Sequence, residues 1–525
     1  MKKYQRGVGE AGSSFFIFVL ESSCMKYIKV SISLFILLLS GKSFSQDIIF
    51  TKEYKDAYNA IIKLDFEGGK EIIDREKAIH ASNYYYVILE SYIDFLGTIV
   101  GENEKVFKHF KSQKKARLQR IRRINENSPY YLYAQAHIIL QTAFARFKFE
   151  DYLKAGFELR KAYHLLKRNQ EKFPEFLPNQ IDFGLMHAMV GAIPNKYKWL
   201  AKLANMEGSI QMGYDEINAV LQYAKSNEEL AYLINESVFF LTFIELNMTS
   251  DQKNVPQLLA DIEKLPNDNQ MLVFAKVRLM SSLGRTDDVI EILEKFKVDS
   301  SFFKLDYLTY LHGLSKLNRL DKDADVYLKK YLKEFYGFTY KKSALQKLAW
   351  HSLFNDDKDS YFKYLSQIEY VGNNLVDGDK QATREAKLKT LPHVDLLKAR
   401  LQFDGAYYDL ALDLLENLDQ KSLRNITDST EYIYRKGRTL DKLGRYDEAL
   451  KTYYSAYILG SKLPDYFAGN ALLNIAIIYE NKGELDKAQD FYQRCVDLDF
   501  EVYKNSIEGK AKSGLDRIKT KKESE

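Results

Sequence analysis

Eight histidines, two cysteines and a run of alternating aspartates are the side chains of this 525-residue sequence whose types could support metal or nucleophilic chemistry. His80, His109, His137, His164, His187, His312, His351 and His393 never fall three or four positions apart, so no helical face presents a paired-imidazole zinc site. Cys24 and Cys495 are too few for a thiolate cluster. Asp321, Asp323 and Asp325 alternate like the start of a calcium loop, but Val326 stands where the sharp turn needs Gly, and Leu332 where a bidentate Glu would close the site. They read instead as the acidic start of a helix, where the backbone dipole is positive. Gly7, Gly9 and Gly12 have dinucleotide-loop spacing without a strand before them or a βαβ pattern after. An enzyme reading would need folding to bring His187, Glu207 and Asp215 into one pocket. The expectation is a chain with no catalytic set, cofactor or metal, and with Cys495 buried as a packing residue.

What does recur is a ruler of small and aromatic side chains. Gly437 is followed by Ala449 twelve positions on, Tyr453 four further and Ala456 three further. Ala476, Ala488, Tyr492 and Cys495 repeat those offsets, and Ala399, Ala411, Leu415 and Leu418 do so with aliphatic plugs. A looser copy is Val277, Val289, Leu293 and Phe296. Gly284, Gly405, Gly444 and Gly483 fall near the turns, where Gly permits the left-handed residue that ends a helix. The spacing predicts helical hairpins: a small residue on each helix lets the pair approach, and the aromatic fills the gap to the next pair. One hairpin cannot bury its apolar stripe alone, so neighbours must stack. Residues 305–332, 341–368 and 47–73 have the same hairpin flavour.

The segment with Ala476, Tyr479, Ala488 and Tyr492 resembles the tetratricopeptide repeat family, most clearly over residues 392–500. The successive offsets are 38 and 39 residues rather than about 34, and the family's closing Pro is missing. The resemblance implies an all-α, right-handed α-solenoid whose first helices line a concave groove, holding a protein or peptide partner. Tyr434, Arg438 and Asp441, with Leu473, Ile477 and Glu480 one repeat on, are then the groove candidates. Ala399, Ala411, Gly437, Ala449, Tyr453, Ala476, Ala488 and Tyr492 are the packing positions.

Other segments divide the chain. Residues 1–24 read as an upstream mis-start. Residues 25–45 read as a signal peptide, with Lys26 and Lys29, an apolar run from Val30 to Leu39, and small residues before Gln46. The run is too short to span a bilayer, and no Cys follows it for a lipid anchor. The mature chain is expected in the periplasm of a bacterium, soluble and not lipid-anchored. Residues 46–250 form an irregular helical region with Pro174, Pro178, Pro194 and Trp199, residues 251–391 degenerate repeats, residues 392–504 the regular ones, and residues 505–525 a capping helix with a charged tail.

Charge excludes one partner class. The formal net charge is +5, and the first 45 residues hold an excess of four positive charges, which leaves +1 for the remainder. No nucleic-acid partner is expected. Nine basic residues between Lys105 and Arg123 make a local patch suited to an acidic or membrane-surface contact. The competing function is a glycan- or lipid-binding accessory protein of the cell envelope, using Trp199 and some of the 38 tyrosines.

Overall fold

The computed structural model describes residues 49–193, 202, 204–249 and 251–524. The expected signal peptide, Pro194 and Trp199 lie outside the described residues. Within them the chain forms twenty-four α-helices and no strand. They are α1 (Lys52–Ile62), α2 (Phe66–Ile79), α3 (Tyr85–Gly101), α4 (Glu104–Ile121), α5 (Pro129–Lys148), α6 (Tyr152–Lys172), α7 (Leu177–Gly191) and α8 (Ile210–Lys225). The middle of the chain holds α9 (Leu233–Asn247), α10 (Val255–Glu263), α11 (Gln270–Ser282), α12 (Thr286–Lys295), α13 (Tyr307–Asn318), α14 (Ala324–Glu334), α15 (Lys341–Leu353), α16 (Lys358–Gln367) and α17 (Asp377–Leu388). Then come α18 (Val394–Asp404), α19 (Tyr408–Glu416), α20 (Ile426–Lys442), α21 (Tyr446–Gly460), α22 (Phe467–Asn481), α23 (Leu485–Asp497) and α24 (Lys504–Ser524).

Eight of the helix pairs share one turn: α1–α2, α5–α6, α11–α12, α13–α14, α15–α16, α18–α19, α20–α21 and α22–α23. Just past each first helix one residue takes a left-handed φ of 56–77°: Leu64, Glu150, Gly284, Leu320, Asp356, Ala406, Gly444 and Gly483. The next residue's N–H then donates to the carbonyl five positions back, at 2.8–3.1 Å, as from Asp65 to Ala60 and from Glu484 to Tyr479. That bond satisfies a carbonyl the helix end would leave orphaned, which is why the geometry persists where the sequence no longer supplies Gly. In α18–α19 the left-handed residue is Ala406 rather than Gly405, whose φ is −85°.

In the regular repeats the small side chains sit at the contacts. Ala399, Ala411, Ala449, Ala476 and Ala488 are all buried, and a Cβ on Gly437 would lie 2.9 Å from the Tyr453 ring. Tyr453 and Tyr492 are buried plugs, and their hydroxyls donate to Asp441 (3.2 Å) and Glu480 (2.6 Å), acids at matching repeat positions. Cys495, one turn beyond Tyr492, is buried, and burial pushes its thiol up to about 12. The last helix, α24, covers the end of the stack with Ile507, Ala511 and Ile518 turned inward. Asp379 on α17 reaches back to cap α15, accepting from the Tyr340 and Ser343 N–H groups at 2.6 and 2.8 Å.

The N-terminal half packs by a different rule, because its helices meet segments far along the chain. Leu64 accepts from the Phe303 N–H (2.8 Å), Lys63 pairs with Asp268 (2.5 Å), and Lys55 pairs with Glu229. Glu102, buried at the end of α3, accepts from the Phe338 and Thr339 N–H groups (both 2.8 Å) and the Thr339 hydroxyl (2.5 Å), and pairs with Lys148 (2.5 Å). Helices α7 and α8 cross where Gly213 meets Gly184, so closely that a Cβ on Gly213 would strike the Gly184 carbonyl. The helices before and after residue 250 share one core: Glu245 on α9 accepts from the Asn254 N–H at 2.8 Å, and Leu241, Leu258 and Val273 belong to one cluster.

Candidate functional site: a cleft across the C-terminal hairpins

The first helices of three successive hairpins, α18, α20 and α22, leave a cleft of about 670 Å³. Phe403 comes from α18, Arg438, Asp441 and Lys442 from α20, and Asn474, Ile477, Ile478 and Asn481 from α22, with Tyr446 and Lys482 at its edges. Residues 474, 477, 478 and 481 fall on one helical face, as do 438, 441 and 442, so the helical period alone aims both sets at the same space. The Arg438 guanidinium lies 4.0 Å over the Phe403 ring, a cation–π contact that fixes it at the cleft wall. Ile477 remains 37% exposed, an apolar side chain facing solvent beside Arg438, Lys442 and Lys482. Burial holds the Asp441 carboxyl above its ordinary range against the Tyr453 hydroxyl bond, which lowers it. The wall offers cation, apolar surface and amide groups together.

Three of the six groove candidates line this cleft: Arg438, Asp441 and Ile477. The other three do not. Tyr434 is buried against Tyr466 and Phe467, with ring centroids 5.8 and 5.5 Å away. Leu473 is buried in the core with Ala476 and Tyr492. Both stand one turn too early on their helices, where the stripe has already passed into the seam between repeats. Glu480 faces α24, accepting from Tyr492 and from Arg517 (3.0 and 2.8 Å), because the capping helix occupies the face a further repeat would use. The stripe beginning at Asn474 was the missed signal: Asn474, Ile477, Ile478 and Asn481 follow helical spacing as well as the stripe from Leu473 does.

Residues 429–499 match the tetratricopeptide repeat family model. They are similar to tetratricopeptide repeats. Two solved structures with comparable chain coverage are the crystal structures of the APC/C hetero-tetramer Cut9-Hcn1 and of yeast Tom70. The first is 11% identical over 93% of this chain and 98% of that chain, with a TM-score of 0.26; the second is 13% identical over 89% and 97%, with a TM-score of 0.24. The tetratricopeptide assignment rests on residues 429–499 themselves.

Away from the tetratricopeptide cleft, the other singled-out residues have structural partners. Asp321 pairs with Arg319 (2.5 Å), Asp323 with Lys316 (3.0 Å) and Asp325 with Lys329 (2.6 Å), at the start of α14. His187 bonds Glu216 at 2.7 Å, while Asp215 accepts from Gln211, so His187, Glu207 and Asp215 do not converge on a shared hydrogen bond. In the basic run, which spans α4 and the turn after it, Arg117 is buried against Asp94 (2.5 Å) and Lys114 pairs with Glu158, whereas Lys105, Lys108, Lys115, Arg120, Arg122 and Arg123 are exposed.

His312 on α13 is buried, its ring 3.8 Å from that of Tyr327, and its Nε2 has no hydrogen-bond partner. Burial, helped by the neighbouring Lys316 cation, lowers its pKa to about 4. The unfolded chain takes up this proton near pH 6.5 and the folded one does not, so stability falls as pH drops from 6.5 towards 4. The expected loss is on the order of 2 kcal/mol. In His312→Phe the urea midpoint should change less between pH 7.5 and pH 5 than in the parent chain; an equal change in both removes His312 as the cause.

Proposed function

We propose that this chain is an exported, non-enzymatic scaffold whose tetratricopeptide cleft holds a protein or peptide partner. The observation that carries the reading is the exposed Ile477 beside Arg438 and Phe403, in an open cleft built from three successive first helices. An apolar anchor flanked by a fixed guanidinium is the combination that partner surfaces bury most productively. The cations Arg438, Lys442 and Lys482 outnumber Asp441 there, which favours a segment carrying carboxylates. Export rests on the basic and apolar character of residues 25–45.

The test places a photocrosslinking side chain at position 477 in the exported full-length protein, with a second at the half-buried Lys167 as control. A partner crosslinked from 477 and not from 167, and lost in Arg438→Glu, is the expected result. Equal labelling from both positions, or labelling indifferent to Arg438→Glu, removes the cleft as the docking site. The mass of the mature chain reports separately on export: cleavage before Gln46 is expected, and an uncleaved N-terminus in the secreted fraction contradicts it.

A further inference from the structure

Six helices of the N-terminal half, α1, α3, α5, α7, α9 and α11, each contribute to the wall of a cavity of about 150 Å³. Phe95, Leu140, Phe144, Phe239, Phe240 and Met271 are part of its apolar lining. A space of this size lined only by such side chains stays dry and accepts a molecule as small as benzene. This one is not wholly apolar. Glu236 from α9 lines it and accepts from the Tyr92 hydroxyl (2.6 Å) and the Tyr58 hydroxyl (2.7 Å). His137 from α5 lies against the Tyr92 ring, 4.7 Å between centroids, and its Nδ1 meets Asp182 of α7 at 2.6 Å. Gln141 takes up the other ring nitrogen at 2.9 Å and is itself bound by Ser91.

Two carboxyl groups therefore share the polar side of the cavity with one imidazole. Burial, reinforced by Asp182, holds the Glu236 carboxyl above the usual carboxylate range. Burial opposes charge on His137, yet Asp182 beside it raises the imidazole overall. An arriving carboxylate would meet Asp182 and Glu236 and be repelled, whereas an ammonium group would find two acceptors and relieve the crowding of negative charge. A second observation points to an occupant. Asn269 lines the same space, is 1% exposed, and uses its side-chain oxygen to cap α11, leaving its Nδ2 buried with no partner. An aromatic body gives that N–H a π face to meet.

We propose that this cavity is a binding site for a small arylalkyl amine, its ring between the phenylalanines and its ammonium group on Glu236 and Asp182. The site is separate from the tetratricopeptide cleft and needs no protein partner.

The proposal is tested by titrating the full-length chain with three probes of one shape, benzylamine, benzyl alcohol and benzoate, followed by calorimetry and ligand-observed magnetic resonance at pH 7.5. Benzylamine should saturate one site and bind at least about tenfold more tightly than benzoate. Glu236→Gln should weaken benzylamine by about tenfold and leave benzyl alcohol nearly unchanged. Ile99→Trp, which fills the wall away from the acids, should abolish binding of all three while the circular dichroism stays helical. Benzoate binding as well as benzylamine, no saturation by any probe, or benzylamine binding that survives Ile99→Trp would each overturn the assignment. If Glu236→Gln does not fold, the benzylamine-to-benzoate ratio and the Ile99→Trp result decide the matter alone.

Discussion

Replacing Glu102 by Ala should destabilise the N-terminal half by about 3–5 kcal/mol, the cost of breaking a buried charge-centred set of bonds from one side. Its carboxylate accepts from two backbone N–H groups and one hydroxyl of the Phe338–Thr339 segment and pairs with Lys148. Alanine leaves all of those donors facing a void, so the penalty is that of unsatisfied groups rather than of one lost contact. Glu102→Gln keeps one acceptor oxygen and should cost distinctly less. Limited proteolysis reads the effect directly: cleavage should appear early between α3 and α6 in Glu102→Ala, while the repeats from α18 onward remain protected. A melting temperature within a degree of the parent would show that the apolar contacts close the half without this carboxylate.

Tyr492→Ala should have a comparable effect, about 3–5 kcal/mol, confined to the other end of the molecule. The ring is fully buried between α22, α23 and α24, and a Cβ on Gly514 of α24 would collide with it. Its removal empties the contact between the last hairpin and the capping helix, and in a stack where each pair touches only its neighbours the damage stays local. Hydrogen exchange should quicken over residues 467–524 and remain unchanged over 49–193. Tyr492→Phe separates packing from polarity. Glu480 keeps both bonds from Arg517, so losing the hydroxyl should cost about 1 kcal/mol. Uniformly faster exchange along the whole chain would contradict nearest-neighbour coupling.

These two positions also mark where the sequence could and could not be read. Tyr492 belongs to a pattern repeated at fixed spacing, and the hairpins from Ala399 to Cys495 stand where that pattern puts them. Earlier hairpins, such as those turning at Leu64, Glu150 and Leu320, use the same backbone bond without its glycine, so the hairpin pattern over 47–73 and 305–332 was legible but the turn residue itself was not. Glu102 had no signal at all. Its main-chain partners lie 236 and 237 positions away and bond through N–H groups, which carry no residue identity. The tetratricopeptide cleft was half legible. Arg438, Asp441 and Ile477 follow from helical period, but the rotation of each helix, which buried Tyr434 and Leu473, is set by neighbours rather than by its own stripe. The cavity residues left a trace that went unused: His137, Asp182 and Glu236 are ionisable groups inside otherwise apolar helices, an expense a core bears only when they find one another or a ligand.

The reach of the Glu102 clasp bears on the order in which the chain can take shape as it leaves the ribosome. At ordinary synthesis rates of about 5–20 residues per second, Phe338 and Thr339 emerge roughly 10–50 s after Glu102. Throughout that interval the carboxylate can pair with Lys148 but lacks the Phe338 and Thr339 donors, whereas each later hairpin meets its neighbour within some forty residues. The front of the molecule therefore completes its bonds only once the chain past Thr339 has been made, whereas the back can complete its own pair by pair.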